Sequence, residues 1–85
     1  MSMTVKKFGH NLEADIHGMT VTEAKRELER LISQCDKSTH EIDVIHGCHG
    51  GTALLNLVRR DLKHPRLVRR ILTMNNGMTT LVIKP

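Results

Sequence analysis

The sequence predicts an α/β domain in the order β-α-β-α-β-β, with a mixed four-stranded sheet. Three observations predict it. Apolar alternation ends twice in a turn that opens onto a helical pattern, at Asp15-Ile16-His17-Gly18 and at His46-Gly47-Cys48-His49-Gly50-Gly51-Thr52. Two strand–helix units of this kind make a parallel pair. An Asn76-Gly77 turn between apolar runs then signals a hairpin, which adds an antiparallel member.

Residues 1–10 read as a flexible leader, and residues 11–85 as one domain. Leu12, Ala14 and Ile16 alternate with Glu13, Asp15 and His17, the period of a half-buried strand. Thr20 to Gln34 has apolar residues at Val21, Ala24, Leu28, Leu31 and Ile32, which is helical spacing. Thr20 and Glu23 have the form of a capping box. Glu41 to His46 forms the second strand. Thr52 to Lys63 forms the second helix, ended by Pro65, which disfavours a helical residue before it. Leu67–Met74 and Met78–Lys84 complete the hairpin.

The 85 residues include no Trp or Tyr and one Phe, so the core is aliphatic and base-stacking platforms are scarce. Two cysteines make no disulfide framework, and no apolar run is long enough for a signal peptide or a membrane span. A reducing, cytoplasmic setting is the default. Charge is lopsided. Residues 1–50 hold six Lys/Arg against eight Asp/Glu, a balance of −2, and residues 51–85 hold seven against one, a balance of +6. Arg59, Arg60, Lys63, Arg66, Arg69 and Arg70 form a cluster that favours a nucleic-acid backbone over an ordinary solvated face.

Parallel strands open their C-terminal ends onto one edge of the sheet, where such folds bind ligands. The two turns are therefore expected to converge. Gly47, Gly50, Gly51 and Thr52 make a glycine turn at a helix start, which suits phosphate. Asp15 and His17 share a strand face, so the carboxylate can orient the imidazole as a general base, and His46 can hold a phosphate or move a proton. A divalent cation, Mg²⁺ or Mn²⁺, can join at Asp15 with help from substrate phosphates. Zinc held by Asp15, His17, His46, Cys48 and His49 is a weaker alternative, because His46-x-x-His49 has no second cysteine pair, and no metal ligands are assigned.

Asp15-Ile16-His17-Gly18-Met19-Thr20 and Val44-Ile45-His46-Gly47, with Thr52-Ala53-Leu54 and a closing Thr80-Leu81-Val82-Ile83, resemble the motifs of the Smr (small MutS-related) domain family over Leu12–Lys84. The resemblance implies a two-layer α+β sandwich like the C-terminal domain of translation initiation factor three. It also implies endonuclease (nicking) activity on DNA or RNA, with Asp15 and His17 matching the first motif and His46 and Gly47 the second. The second motif departs from the family pattern: its glycines are shifted by one residue, and Leu54-Leu55 stands where Leu-Arg is usual. The expectation is a nucleic-acid-binding endonuclease, monomeric or weakly dimeric. The rival is a non-catalytic nucleic-acid or ribosome-binding module.

Overall fold

The computed structural model describes residues 3–48 and 51–85. The chain enters the sheet earlier than its hydrophobic pattern predicts. Thr4–Phe8 forms β1, paired antiparallel to β2 (Asn11–Asp15), with Thr4 opposite Asp15 and Phe8 opposite Asn11. The sheet thus has five strands where four were expected, and the segment expected as a leader supplies its edge. All five residues of β1 are exposed, so its conformation rests on the backbone ladder and leaves no apolar alternation to read. Lys6 and Lys7 on this strand also guard the edge against pairing with another chain.

The first helix, α1 (Val21–Gln34), begins as its sequence predicts. The Thr20 hydroxyl accepts from the Glu23 amide at 3.1 Å, and the Glu23 carboxylate accepts from the Thr20 amide at 3.2 Å. Such a box stabilises a helix by about 1 kcal/mol. Ala24, Leu28 and Ile32 form the buried stripe. The next strand, β3 (Glu41–Ile45), lies parallel to β2, from Asn11 opposite Glu41 to Asp15 opposite Ile45.

The second helix departs from the expected single run. An α-helical turn, α2 (Ala53–Asn56), passes directly into a π-helical turn, Leu57–Asp61, closed by the Leu62 amide on the Leu57 carbonyl at 2.8 Å. The wider turn leaves carbonyls without their usual partners. Arg70 supplies them, donating from Nε to Val58 O at 2.7 Å and from Nη2 to Leu62 O. The hairpin strands β4 (Leu67–Leu72) and β5 (Met78–Ile83) are antiparallel to each other, and β5 is antiparallel to β3. The strand order is β1-β2-β3-β5-β4.

Leu12, Ala14, Ile16, Ile42, Val44, Leu81 and Ile83 from one sheet face meet Ala24, Leu28, Ile32, Leu57, Val58 and Leu62 in a single core. Both helices therefore cover the same face, and the fold has two layers. Among the described residues no helix is long and apolar enough to cross a membrane.

Candidate functional site

The parallel register brings the ends of β2 and β3 together. Asp15 lies opposite Ile45, and the Ile16 amide donates to the Ile45 carbonyl at 2.9 Å. Just beyond, Gly47 has φ +80°, and a Cβ placed on it would meet the His17 Cβ at 3.6 Å. The two sequence motifs thus touch. Between them opens a cleft of about 570 Å³, lined by His17–Val21 from the first motif and by Ile45, His46, Gly47, Cys48, Gly51, Ala53 and Leu54 from the second.

Asp15 and His17 form a couple at the mouth of this cleft. Asp15 Oδ1 accepts from the His17 amide at 3.1 Å and from its Nδ1 at 2.5 Å. A carboxylate accepting at Nδ1 fixes the proton there and leaves Nε2 with its lone pair. The ring is exposed. This is the arrangement of an oriented base.

His46 has the opposite environment. It is only 3% exposed. Its Nδ1 donates to the Gly47 carbonyl at 2.9 Å, so its Nε2 must accept, and the Thr79 hydroxyl donates to it at 2.9 Å. Thr79 Oγ1 in turn accepts from Arg59 Nε at 2.7 Å. Burial holds the His46 pKa below its ordinary value, the bond to the Gly47 carbonyl opposes that shift, and the nearby Arg59 charge adds to it. With both ring nitrogens occupied, His46 has no atom free to grip a phosphate. The expectation of a direct phosphate contact does not fit this geometry, because alternation with Ile42 and Val44 turns His46 toward the core.

The glycine turn is likewise partly committed. The Gly47 amide donates to the Gly77 carbonyl at 2.9 Å, as does the His46 amide. Gly47 therefore serves the turn's shape and not an anion. Gly51 and Thr52 are exposed at the cleft end of α2. Thr52 precedes α2 without a side-chain cap bond. Gly50 and His49 lie outside the described residues.

The basic cluster divides in two. Arg59 spans Thr79 and the Met78 carbonyl, the latter at 3.0 Å. Arg66 donates to the Ile32 and Cys35 carbonyls at 2.7 and 3.1 Å, neutralising the end of α1, and to Lys84 O at 3.0 Å. Arg70 holds the π-helical turn, as described. These three are braces, and Arg60, Lys63 and Arg69 stay exposed. Sequence reasoning missed the division because the partners are backbone carbonyls distant in the chain. It also missed Thr79 and Gly77. Thr79 carried a signal, since it keeps step with Leu81 and Ile83 and so faces the core.

Among the described residues no group of three or more His, Cys, Asp or Glu is placed to hold a metal. The cleft lining among the described residues holds no carboxylate, and Asp15, behind His17, is engaged by its imidazole. His46 has no lone pair to offer zinc. The described donors therefore fit neither the zinc reading nor a protein-held divalent cation.

A family model of the Smr domain matches residues 14–79. The crystal structure of the Smr domain of Thermus thermophilus MutS2 has the same fold, with a TM-score of 0.75 and 24% identity over 86% of this chain and 98% of that one. No curated protein matches.

Proposed function

This chain belongs to the Smr domain family, which is associated with nucleic-acid binding and nicking endonuclease activity, and from that premise we propose that it is a nucleic-acid-binding domain that cuts one strand of a DNA or RNA backbone at the cleft. The observation that carries the proposal is the Asp15–His17 couple: the carboxylate holds Nδ1 and leaves Nε2 for chemistry, on an exposed ring that lines the cleft together with Gly47. The scissile phosphate lies between His17 and the Gly51–Thr52 turn, where the first helical amides have no partner inside the helix. His17 Nε2 takes a proton from the attacking water, and Asp15 stabilises the imidazolium that forms. The water oxygen bonds to phosphorus as the bond to the leaving oxygen breaks; that oxygen takes a proton from solvent, and His17 then releases its own to solvent.

His46 takes no part in proton transfer in this reading. It holds the Gly47 turn against His17 through its bonds to Gly47 and Thr79. Arg60, Lys63 and Arg69 attract the flanking backbone without reading its sequence. A divalent cation, where one is needed, arrives with the substrate phosphates.

The test is a cleavage assay on branched DNA, nicked DNA and structured RNA, with and without Mg²⁺ or Mn²⁺, beside His17→Ala. Cleavage by the native chain that is lost in the variant, with binding retained, is the expected result. Binding with no cleavage on any substrate points to the second reading, a non-catalytic module. That reading is favoured by the sealed state of His46 and the inward turn of three arginines.

A further inference from the structure

The hairpin turn that braces the cleft also presents an apolar tip. Met74 is wholly solvent-exposed at 103%, and Leu72, which ends β4 just before it, is 61% exposed. This exposure sits on a well-tied turn. Thr73 Oγ1 donates to Asn75 O at 2.8 Å, the Gly77 amide to Asn75 Oδ1 at 2.8 Å, and the Met78 amide to Asn75 O at 3.2 Å. Arg59 grips the same turn from below, through Met78 O at 3.0 Å. The Gly77 carbonyl then accepts from the His46 and Gly47 amides, so hydrogen bonds tie the tip to the cleft.

Position and charge decide what meets this tip. β4 lies three strands from β2 in the sheet, or about 14 Å at the usual strand spacing. That distance corresponds to about four stacked nucleotides. Exposed Arg69 sits on the same strand, and Arg60 on the turn packed beside it, so a polyanion is drawn to this flank. The chain's one aromatic residue that could stack on bases, Phe8, pairs with Asn11 and so lies at the far end of β2 from Asp15.

Resting on the reading of the cleft as a backbone-phosphate site, we propose that Leu72 and Met74 form an apolar wedge that enters between neighbouring bases a few nucleotides from the phosphate at His17. Apolar side chains inserted in this way unstack a step and kink the strand. The domain accordingly selects steps that unstack at low cost, such as mismatches, junctions and pyrimidine–purine steps. Specificity then comes from deformability, without an aromatic platform.

The experiment places 2-aminopurine at a mismatched step in an otherwise uniform duplex and follows its fluorescence on titration with the full chain. The native chain raises the fluorescence and binds the mismatched duplex about tenfold more tightly than the matched one, a ratio that burial of one apolar side chain supports. The double variant Leu72→Ser/Met74→Ser, altered only at exposed positions, keeps its affinity for matched duplex and loses both effects. Binding with no fluorescence change, or an equal change in the variant, overturns the wedge and leaves the cleft reading standing. Failure of the native chain to bind any nucleic acid overturns both. Met74-dependent binding to phosphatidylserine vesicles in place of nucleic acid assigns the tip to a membrane surface and overturns the proposal.

Discussion

Replacing Thr79 by Val tests whether His46 is a brace or merely a buried histidine. Thr79 is fully buried, and Val matches its shape. On hydrophobic grounds alone the substitution should stabilise the core. The hydrogen bonds argue the reverse. Val removes the hydroxyl that donates to His46 Nε2 and accepts from Arg59 Nε. A buried acceptor left unpaired costs about 1–3 kcal/mol, and a loosened guanidinium adds to it. The expected loss is therefore about 2–4 kcal/mol. A chain of this length has only about 4–13 kcal/mol of stability in all. The melting temperature should fall by roughly 10–30 °C. Thr79→Ser keeps the hydroxyl and loses one methyl, at about 1 kcal/mol. Urea unfolding at neutral pH should rank native above Ser above Val. Nitrogen NMR should find the His46 proton on Nδ1 in the native chain. A Val variant as stable as the native chain, or more stable than the Ser variant, would refute the relay.

Three other outcomes follow from the same geometry. Asp15→Asn should lower cleavage about 10²–10⁴-fold, because it removes the charge that stabilises the His17 imidazolium, while urea midpoints barely move; unchanged rates would remove His17 as base. Stability should decline as pH falls below 6.5, since the unfolded chain takes up a proton at His46 that the folded one resists; the contribution is complete above 6.5, and a His46→Gln variant should show a flatter profile if the assignment holds. Glutamate at Arg60, Lys63 or Arg69 should weaken nucleic-acid binding and lower the salt slope by about one per site, whereas Arg66→Met should cost stability and leave that slope nearly unchanged; equal salt effects at all four positions would dissolve the division of the cluster.

Local chemistry was legible where the residues concerned are neighbours in sequence. The Thr20–Glu23 box and the Ala24, Leu28, Ile32 stripe follow from spacing alone. So does the meeting of Asp15–His17 with His46–Gly47, once β2 and β3 are taken as parallel. β1 was not legible, because a strand exposed on every residue carries no apolar rhythm. Nor was the π-helical turn, whose carbonyls depend on Arg70 from another strand. The same cause hid the inward arginines. A run of basic residues states how much charge is present, and only the fold decides how much of it remains for a partner.

The contrasting roles of the two rim histidines come down to parity. In β2 the core takes Leu12, Ala14 and Ile16, which leaves Asp15 and His17 on the other side. In β3 it takes Ile42 and Val44, and the next step in that rhythm is His46. One imidazole is thereby delivered to solvent beside a carboxylate, and the other to the interior between a carbonyl and a hydroxyl. A neutral imidazole suits the second place because it donates from one edge and accepts at the other, bridging Gly47 to Thr79 with a single rigid ring. A lysine there could only donate, and a leucine would leave both partners unpaired. The glycine that follows has φ +80°, and a Cβ on it would stand 3.6 Å from that of His17. His46 is thus best understood as the means by which β5 sets the position of the β3 turn, and through it the space in which His17 acts.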